Sequence, residues 1–146
     1  MPDKETLERA EEDKREGKSP STQAGEFVRE EIEHVREGKH GARSAKQVIA
    51  IGLSKARRAG VKLPPPKNAS EETREQAARE TRKAKSAGKA KTSAKRSRAA
   101  SRKLKQEGHS AASKLALSRH ARSAAAKRSS ASRSRSARKA AATRKK

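Results

Sequence analysis

The fold is decided by residues 24–66, which read AGEFVREEIEHVREGKHGARSAKQVIAIGLSKARRAGVKLPPP. The first half of this stretch predicts an amphipathic helix from Ala24 to Glu37, and Gly38 ends it. At about 100° per residue, one arc of this helix carries most of its apolar side chains: Ala24, Phe27, Val28, Ile32 and Val35. Glu31 falls inside the same arc, and we expect it to pair with a Lys or Arg of the neighbouring helix.

The second half predicts another helix, from Ser44 to Ala59. The Ser44 hydroxyl and Gln47, three residues later, form a capping box at its start, and Gly60 supplies a left-handed stop at its end. Three prolines, Pro64 to Pro66, then prevent any continuation. One arc of this helix collects its small and apolar residues: Ala45, Val48, Ile49, Gly52, Leu53, Ala56 and Ala59.

The two arcs predict a helical hairpin that closes across residues 38–43. The connection of six residues is longer than the usual turn of about three or four in a DNA-binding helix-turn-helix, so we favour a plain packing hairpin. A unit of about forty residues is small for independent stability, and docking of the N-terminal segment or homodimerisation would supplement it.

Outside the hairpin the chain is poor in core-forming residues. Only 15 positions carry Ile, Leu, Val, Phe or Met, and 12 of them precede Pro64. We therefore predict a mostly α protein in three parts: a charged N-terminal segment (1–18) with a solvated helix, the hairpin domain (24–66), and a low-complexity tail (67–146). The tail is expected to be disordered in the free chain, and helical once phosphates neutralise its charge.

Charge is distributed as unevenly as the apolar residues. Residues 1–37 hold 7 basic and 12 acidic groups, whereas residues 38–66 hold 7 basic groups and no acid. The tail holds 26 of the 40 basic residues, and Glu107 is its last acid. Such a polycation finds partners among polyanions, and its binding to nucleic acid would be driven by counterion release.

Single-strand recognition usually needs aromatic stacking, and the tail has no aromatic residue, which favours duplex DNA or structured RNA held by its phosphates. Of the two partners we predict DNA in preference to RNA. We predict non-specific phosphate contacts by a histone-like, nucleoid-associated protein. The candidate residues in the hairpin are Lys46, Lys55, Arg57 and Arg58. Those in the tail are Lys91, Lys95, Arg96, Arg98, Arg102, Lys103, Lys105, Arg119, Arg122, Lys127, Arg128, Arg133, Arg135, Arg138 and Lys139.

Two alternatives stay open. The same tail would suit an RNA-binding or ribosome-associated factor, and the hairpin could instead dock a protein partner while the tail only solubilises it. Competition between duplex DNA and structured RNA separates the DNA-binding function from the RNA-binding one. A pull-down that survives nuclease and high salt would favour the protein-docking hairpin.

Several other classes are disfavoured. The chain has no Cys, and its four His residues show no HExxH-type arrangement, so we expect no metal site, no cofactor and no catalysis. No apolar run approaches the roughly 18 residues that a membrane span needs. We expect a cytoplasmic protein located at the nucleoid.

The segment Phe27 to Pro66 resembles a known family, above all in residues 46–61, KQVIAIGLSKARRAGV. It is similar to family 6496 among the domains of unknown function, whose members place a helix with Glu-Phe before a turn like the GKHG of residues 38–41. The resemblance implies a bacterial origin and brings no established catalytic or binding residues. The tail resembles linker-histone and bacterial histone-like tails in composition only, since it has no Pro after Pro66.

Overall fold

The computed structural model describes residues 1–86 and 93–144, and within these ranges all regular secondary structure is helical, which confirms the prediction of a mostly α protein. A 3₁₀ turn, Ser110–Ala112, separates the fifth and sixth helices. In chain order the α-helices are α1 (Lys4–Arg15), α2 (Pro20–Arg36), α3 (Ala45–Arg58), α4 (Glu71–Lys85), α5 (Ala94–Gln106), α6 (Lys114–Ala126) and α7 (Ser130–Arg144).

The hairpin of α2 and α3 forms the centre of the molecule. Helix α3 begins as predicted, with the Ser44 hydroxyl accepting a hydrogen bond from the Gln47 amide at 3.2 Å. Helix α2 begins four residues earlier than predicted because Ser19 caps it and Pro20 occupies its first turn, where the missing N–H costs nothing. The predicted hairpin is thus present, with a longer first arm.

The two arms approach each other closely at Gly52. A Cβ atom at this position would lie 2.6 Å from the Cα atom of Val28 on α2, well inside van der Waals contact. Only glycine therefore lets α3 pack against α2 at this point.

Helices α1 and α4 pack on the two arms, α1 against α2 and α4 against α3. The N-terminal helix was predicted to be solvated, yet Thr6, Ala10 and Asp13 are buried on its inner face. Its contacts use small side chains, which a count of large apolar residues overlooks. Helix α4 contributes Ala77 and Glu80 to the interior in the same way.

The apolar core is divided into two clusters. The first lies where α1 meets the hairpin and contains Ala10, Ala24, Phe27 and Ala56, with Leu53, Val61 and Leu63 packed against it. The second lies near the hairpin turn and contains Val35, Ala42, Val48, Ala111 and Ala112, with Ile32 beside it. Glu31 lies between Phe27 and Val35 on the buried face of α2, so a polar layer interrupts the core at mid-length.

The expected disorder of the tail is wrong for the residues that the structure describes, which form helices α4 to α7. Ala, Lys and Arg have high helix propensity, and Ser70 and Ser113 cap helices through hydrogen bonds from Thr73 and Ala116. These local preferences outweigh the charge repulsion from which the disorder was predicted.

The tail is also attached to the hairpin turn. The amides of Gly41 and Ala42 donate to the carbonyls of Leu104 and Gly108, both at 2.9 Å. A Cβ atom on Gly41 would lie 1.8 Å from the Glu107 carbonyl oxygen, so glycine is required here as well. None of the helices in the described ranges combines the length and the apolarity needed to cross a membrane.

Candidate functional site

The strongest concentration of charge lies on residues 93–144, whose Lys and Arg side chains we call the cationic surface. Sixteen Lys and Arg residues occur in this range, and every one of them is exposed. Among the described residues none of them forms an ion pair. The single acid, Glu107, pairs instead with Arg43 of the hairpin turn at 3.4 Å.

Helix α5 orders part of this surface into a stripe. Lys95, Arg98, Arg102 and Lys105 follow one another at spacings of three, four and three residues, so they share one face of the helix over about 15 Å. Arg96 and Lys103 are exposed on other faces of α5. The first predicted member of the stripe, Lys91, lies outside the described residues.

The remaining predicted tail residues are spread over α6, α7 and the segment between them. Arg119 and Arg122 lie on α6, and Lys127 and Arg128 precede α7. The Arg128 side chain donates to the hydroxyl of Ser132 at 3.1 Å. Four more lie on α7, where Arg135, Arg138 and Lys139 share one face at spacings of three and four residues and Arg133 points to another side.

The four candidates on the hairpin divide into two pairs. Lys46 and Arg58 are exposed, and Arg58 donates to the Ser54 hydroxyl at 2.6 Å. Arg57 is 8% exposed, pairs with Glu80 of α4 at 3.3 Å and donates to the Leu63 carbonyl at 3.2 Å. Lys55 forms ion pairs with two acids of α2. Arg57 and Lys55 are therefore better explained as internal ion-pair partners than as phosphate contacts.

Lys55 reaches into the polar layer between the two apolar clusters. Its ammonium contacts the carboxylate of Glu31 and lies 3.0 Å from Oε1 of Glu30. The expected pairing of Glu31 with a cation of the second helix is thus confirmed. The Glu31 carboxylate is only 1% exposed, however, and within the described residues its second oxygen, Oε2, has no hydrogen-bond partner.

The charged side chains in this layer shift one another's pKa values. Burial opposes the charged form of Lys55, but hydrogen bonds to Glu31 and Glu30 outweigh it and raise the pKa of Lys55. Burial likewise favours the neutral form of Glu30, but hydrogen bonds from Lys55, Thr6 and the Asp3 amide lower the pKa of Glu30 on balance. Both side chains are therefore charged at neutral pH.

Two histidines complete the layer. His34, three residues after Glu31 on α2, places Nδ1 3.5 Å from Oε1 of Glu31 and Nε2 3.1 Å from Oδ2 of Asp3. His40 in the hairpin turn places Nε2 3.2 Å from Oε2 of Glu31 and Nδ1 3.0 Å from the Gly41 carbonyl. The hydrogen bond with His34 lowers the pKa of Asp3.

This cluster was not among the predicted sites. Its histidines lie neither beside Cys nor inside an HExxH-type motif, and His40 approaches Glu31 only through the path of the turn. The available signals were the Glu31-x-x-His34 spacing, which places both side chains on one face of a helix, and the position of Glu31 within an apolar arc.

Comparison with known proteins identifies one family. Residues 13–67 match the model described as Family of unknown function (DUF6496), which confirms the resemblance seen in residues 27–66. The match spans the end of α1, the whole hairpin and the proline segment, and ends before α4. No curated protein and no solved structure matches the chain.

Proposed function

We propose that this protein binds nucleic acid, and duplex DNA in preference to structured RNA, as a histone-like, nucleoid-associated protein. The contacts are phosphate contacts of the cationic surface. One observation carries the proposal: all sixteen Lys and Arg side chains of residues 93–144 are exposed, whereas Lys55 and Arg57 of the hairpin form internal ion pairs.

The charge balance of this surface favours a polyanionic partner. Residues 93–144 hold sixteen basic residues and one acid, a net charge of +15 over three helices and their connections, and the acid pairs with Arg43 outside this range. If about ten of the basic residues contact phosphates, log K falls with log salt concentration at a slope near −9. Helices that are already formed also lose less conformational entropy on binding than a disordered tail would.

The side-chain environment supports non-specific binding. Within the described part of the chain, only Arg98 and Arg128 of the sixteen donate side-chain hydrogen bonds to protein groups. Base readout requires side chains held in a fixed geometry at groove edges, whereas phosphate contacts tolerate mobile ones. Scrambling the DNA sequence is therefore expected to change the affinity little.

The first prediction concerns the stripe on α5. The triple variant R98Q/R102Q/K105Q should bind duplex DNA more weakly, and its salt slope should fall in magnitude by about 2.7, because each lost phosphate contact removes about 0.9. Fluorescence anisotropy with a labelled duplex at several salt concentrations measures both quantities. Competition with structured RNA in the same assay ranks the two nucleic acids.

The matched control is the variant K14Q/R15Q/K62Q, which removes three exposed cations from the other half of the chain that have no ion-pair partner among the described residues. Both variants lower the net charge by three, so an effect of net charge alone would change both affinities equally. Equal losses would refute an interface on α5. Preference for RNA in the competition would transfer the proposal to a ribosome-associated role.

A further inference from the structure

We propose that Glu31, His34 and His40 bind a first-row divalent metal ion, of which Zn²⁺ is the best fit, and that this ion joins α2 to the hairpin turn. One ligand atom from each of the three side chains lies within 4.8 Å of the other two. The site is independent of the cationic surface and goes beyond the proposed nucleic-acid binding.

The hydrogen bonds of the two histidines determine which nitrogens are free. The Asp3 carboxylate and the Gly41 carbonyl can only accept hydrogen bonds, so Nε2 of His34 and Nδ1 of His40 must carry the donated protons. In neutral imidazoles the lone pairs then lie on Nδ1 of His34 and Nε2 of His40. Both lone pairs face the Glu31 carboxylate, at 3.5 and 3.2 Å.

With both imidazoles neutral this arrangement is repulsive, and either a proton on each ring or one metal ion bound by the three groups removes the repulsion. A lone pair that faces a buried carboxylate gains no hydrogen bond, and within the described residues Oε2 of Glu31 has no hydrogen-bond partner, while Oε1 contacts the Lys55 ammonium. A metal ion would be bonded by all three groups at once. The outer contacts also match the usual pattern of metal-binding histidines, whose second nitrogen donates to a carboxylate or a backbone carbonyl.

The distances are compatible with a zinc ion. Ligand atoms bonded to tetrahedral Zn²⁺ at about 2.0–2.2 Å lie roughly 3.3 Å from one another. The two measured Glu31–histidine separations are close to this value, at 3.2 Å from His40 to Oε2 and 3.5 Å from His34 to Oε1, so both oxygens of the carboxylate face the site. Two imidazoles and one carboxylate are ligands that zinc accepts, with water in the fourth position.

The local charge favours a dication despite the presence of Lys55. The carboxylates of Asp3, Glu30 and Glu31 carry three negative charges, and the Lys55 ammonium offsets one of them. With both histidines neutral, two negative charges remain, and one divalent ion would cancel them. Lys55 contacts Oε1 of Glu31, whereas Oε2 is the oxygen next to His40.

The test uses the full-length chain without a histidine tag, stripped of metal with a chelator. Calorimetric titration with Zn²⁺ should show one ion bound per chain, and Co²⁺ should give the visible absorption of a low-coordinate site. E31Q and the double variant H34Q/H40Q should each lose at least about tenfold in Zn²⁺ affinity, and D3A, which removes only the partner of His34, should lose about tenfold.

H120Q is the matched control, because His120 lies on α6 outside the cluster, and its Zn²⁺ affinity should equal that of the unchanged protein. Circular dichroism reports whether each variant is folded. If E31Q does not fold, H40Q in the turn takes its place. Failure of the unchanged protein to bind Zn²⁺, or undiminished binding by the cluster variants, would overturn the proposal and leave two protonated histidines around Glu31.

Discussion

At the scale of single residues, two glycines in the central hairpin test how tightly the helices pack. Gly52 on α3 faces Val28 so closely that any Cβ atom must displace the backbone of α2. Gly25 on α2 is also inside a helix, but nothing lies within 4 Å of the place a Cβ atom would occupy. Substitution by Ala should therefore lower the free energy of unfolding at Gly52 and raise it at Gly25.

We predict that Gly52→Ala lowers the free energy of unfolding by about 1–3 kcal/mol, because overpacking outweighs the gain in helix propensity. Gly25→Ala serves as the control and should raise it by up to about 1 kcal/mol. Urea denaturation followed by circular dichroism measures both values. A stabilising effect at Gly52 would mean that α2 and α3 are further apart than the structure places them.

One contact of the polar layer could be predicted from the sequence and another could not. Helical periodicity placed Glu31 on the buried face and predicted a cationic partner, which is Lys55. It could not bring His40 to Glu31, because that contact depends on the backbone of the turn. Hydrogen bonds to the carbonyls of Leu104 and Gly108, more than sixty residues away, hold the backbone of this turn.

At the scale of elements, local signals identified the hairpin and long-range packing decided the rest. Caps, periodicity and glycine stops predicted helices at 24–37 and 44–59, and the structure has them at Pro20–Arg36 and Ala45–Arg58. The docking of residues 107–112 was missed because Ala111 and Ala112 are small and look like the many exposed alanines around them. Only their position beneath the hairpin turn makes them core residues.

The position of a truncation should therefore decide stability. A chain ending at Ala126 keeps every contact of residues 107–112, so its free energy of unfolding should change by no more than about 0.5 kcal/mol. A chain ending at Gln106 loses the buried methyl groups of Ala111 and Ala112 and two hydrogen bonds, to Ala42 and Arg36. We expect it to be less stable by about 3 kcal/mol.

Chemical denaturation of the two truncated chains beside the whole protein measures this difference. Equal stability of all three would show that residues 107–112 do not dock. A cut at Lys67, which the segregation of charge suggests, is a poorer experiment. It would also remove Glu80, the partner of the buried Arg57.

At the scale of the whole molecule, acidic and basic surfaces coexist on one chain. Helix α1 carries exposed acids on its outer side, among them Glu8, Glu11 and Glu12, while its inner side packs on α2. Covalent attachment keeps these carboxylates at a high effective concentration near the cationic surface. They should compete with nucleic acid for it.

The last prediction measures this competition without removing a packed helix. The variant E8Q/E11Q/E12Q should bind duplex DNA a few fold more tightly at low ionic strength, because exposed charge pairs contribute about 1 kcal/mol or less each. The gain should nearly vanish at about 0.5 M salt, where the Debye length is close to 4 Å. Fluorescence anisotropy at both salt concentrations provides the measurement, and circular dichroism checks that α1 is retained. An affinity unchanged at low salt would show that the acids of α1 do not reach the cationic surface, and would leave this face of the helix free for another partner.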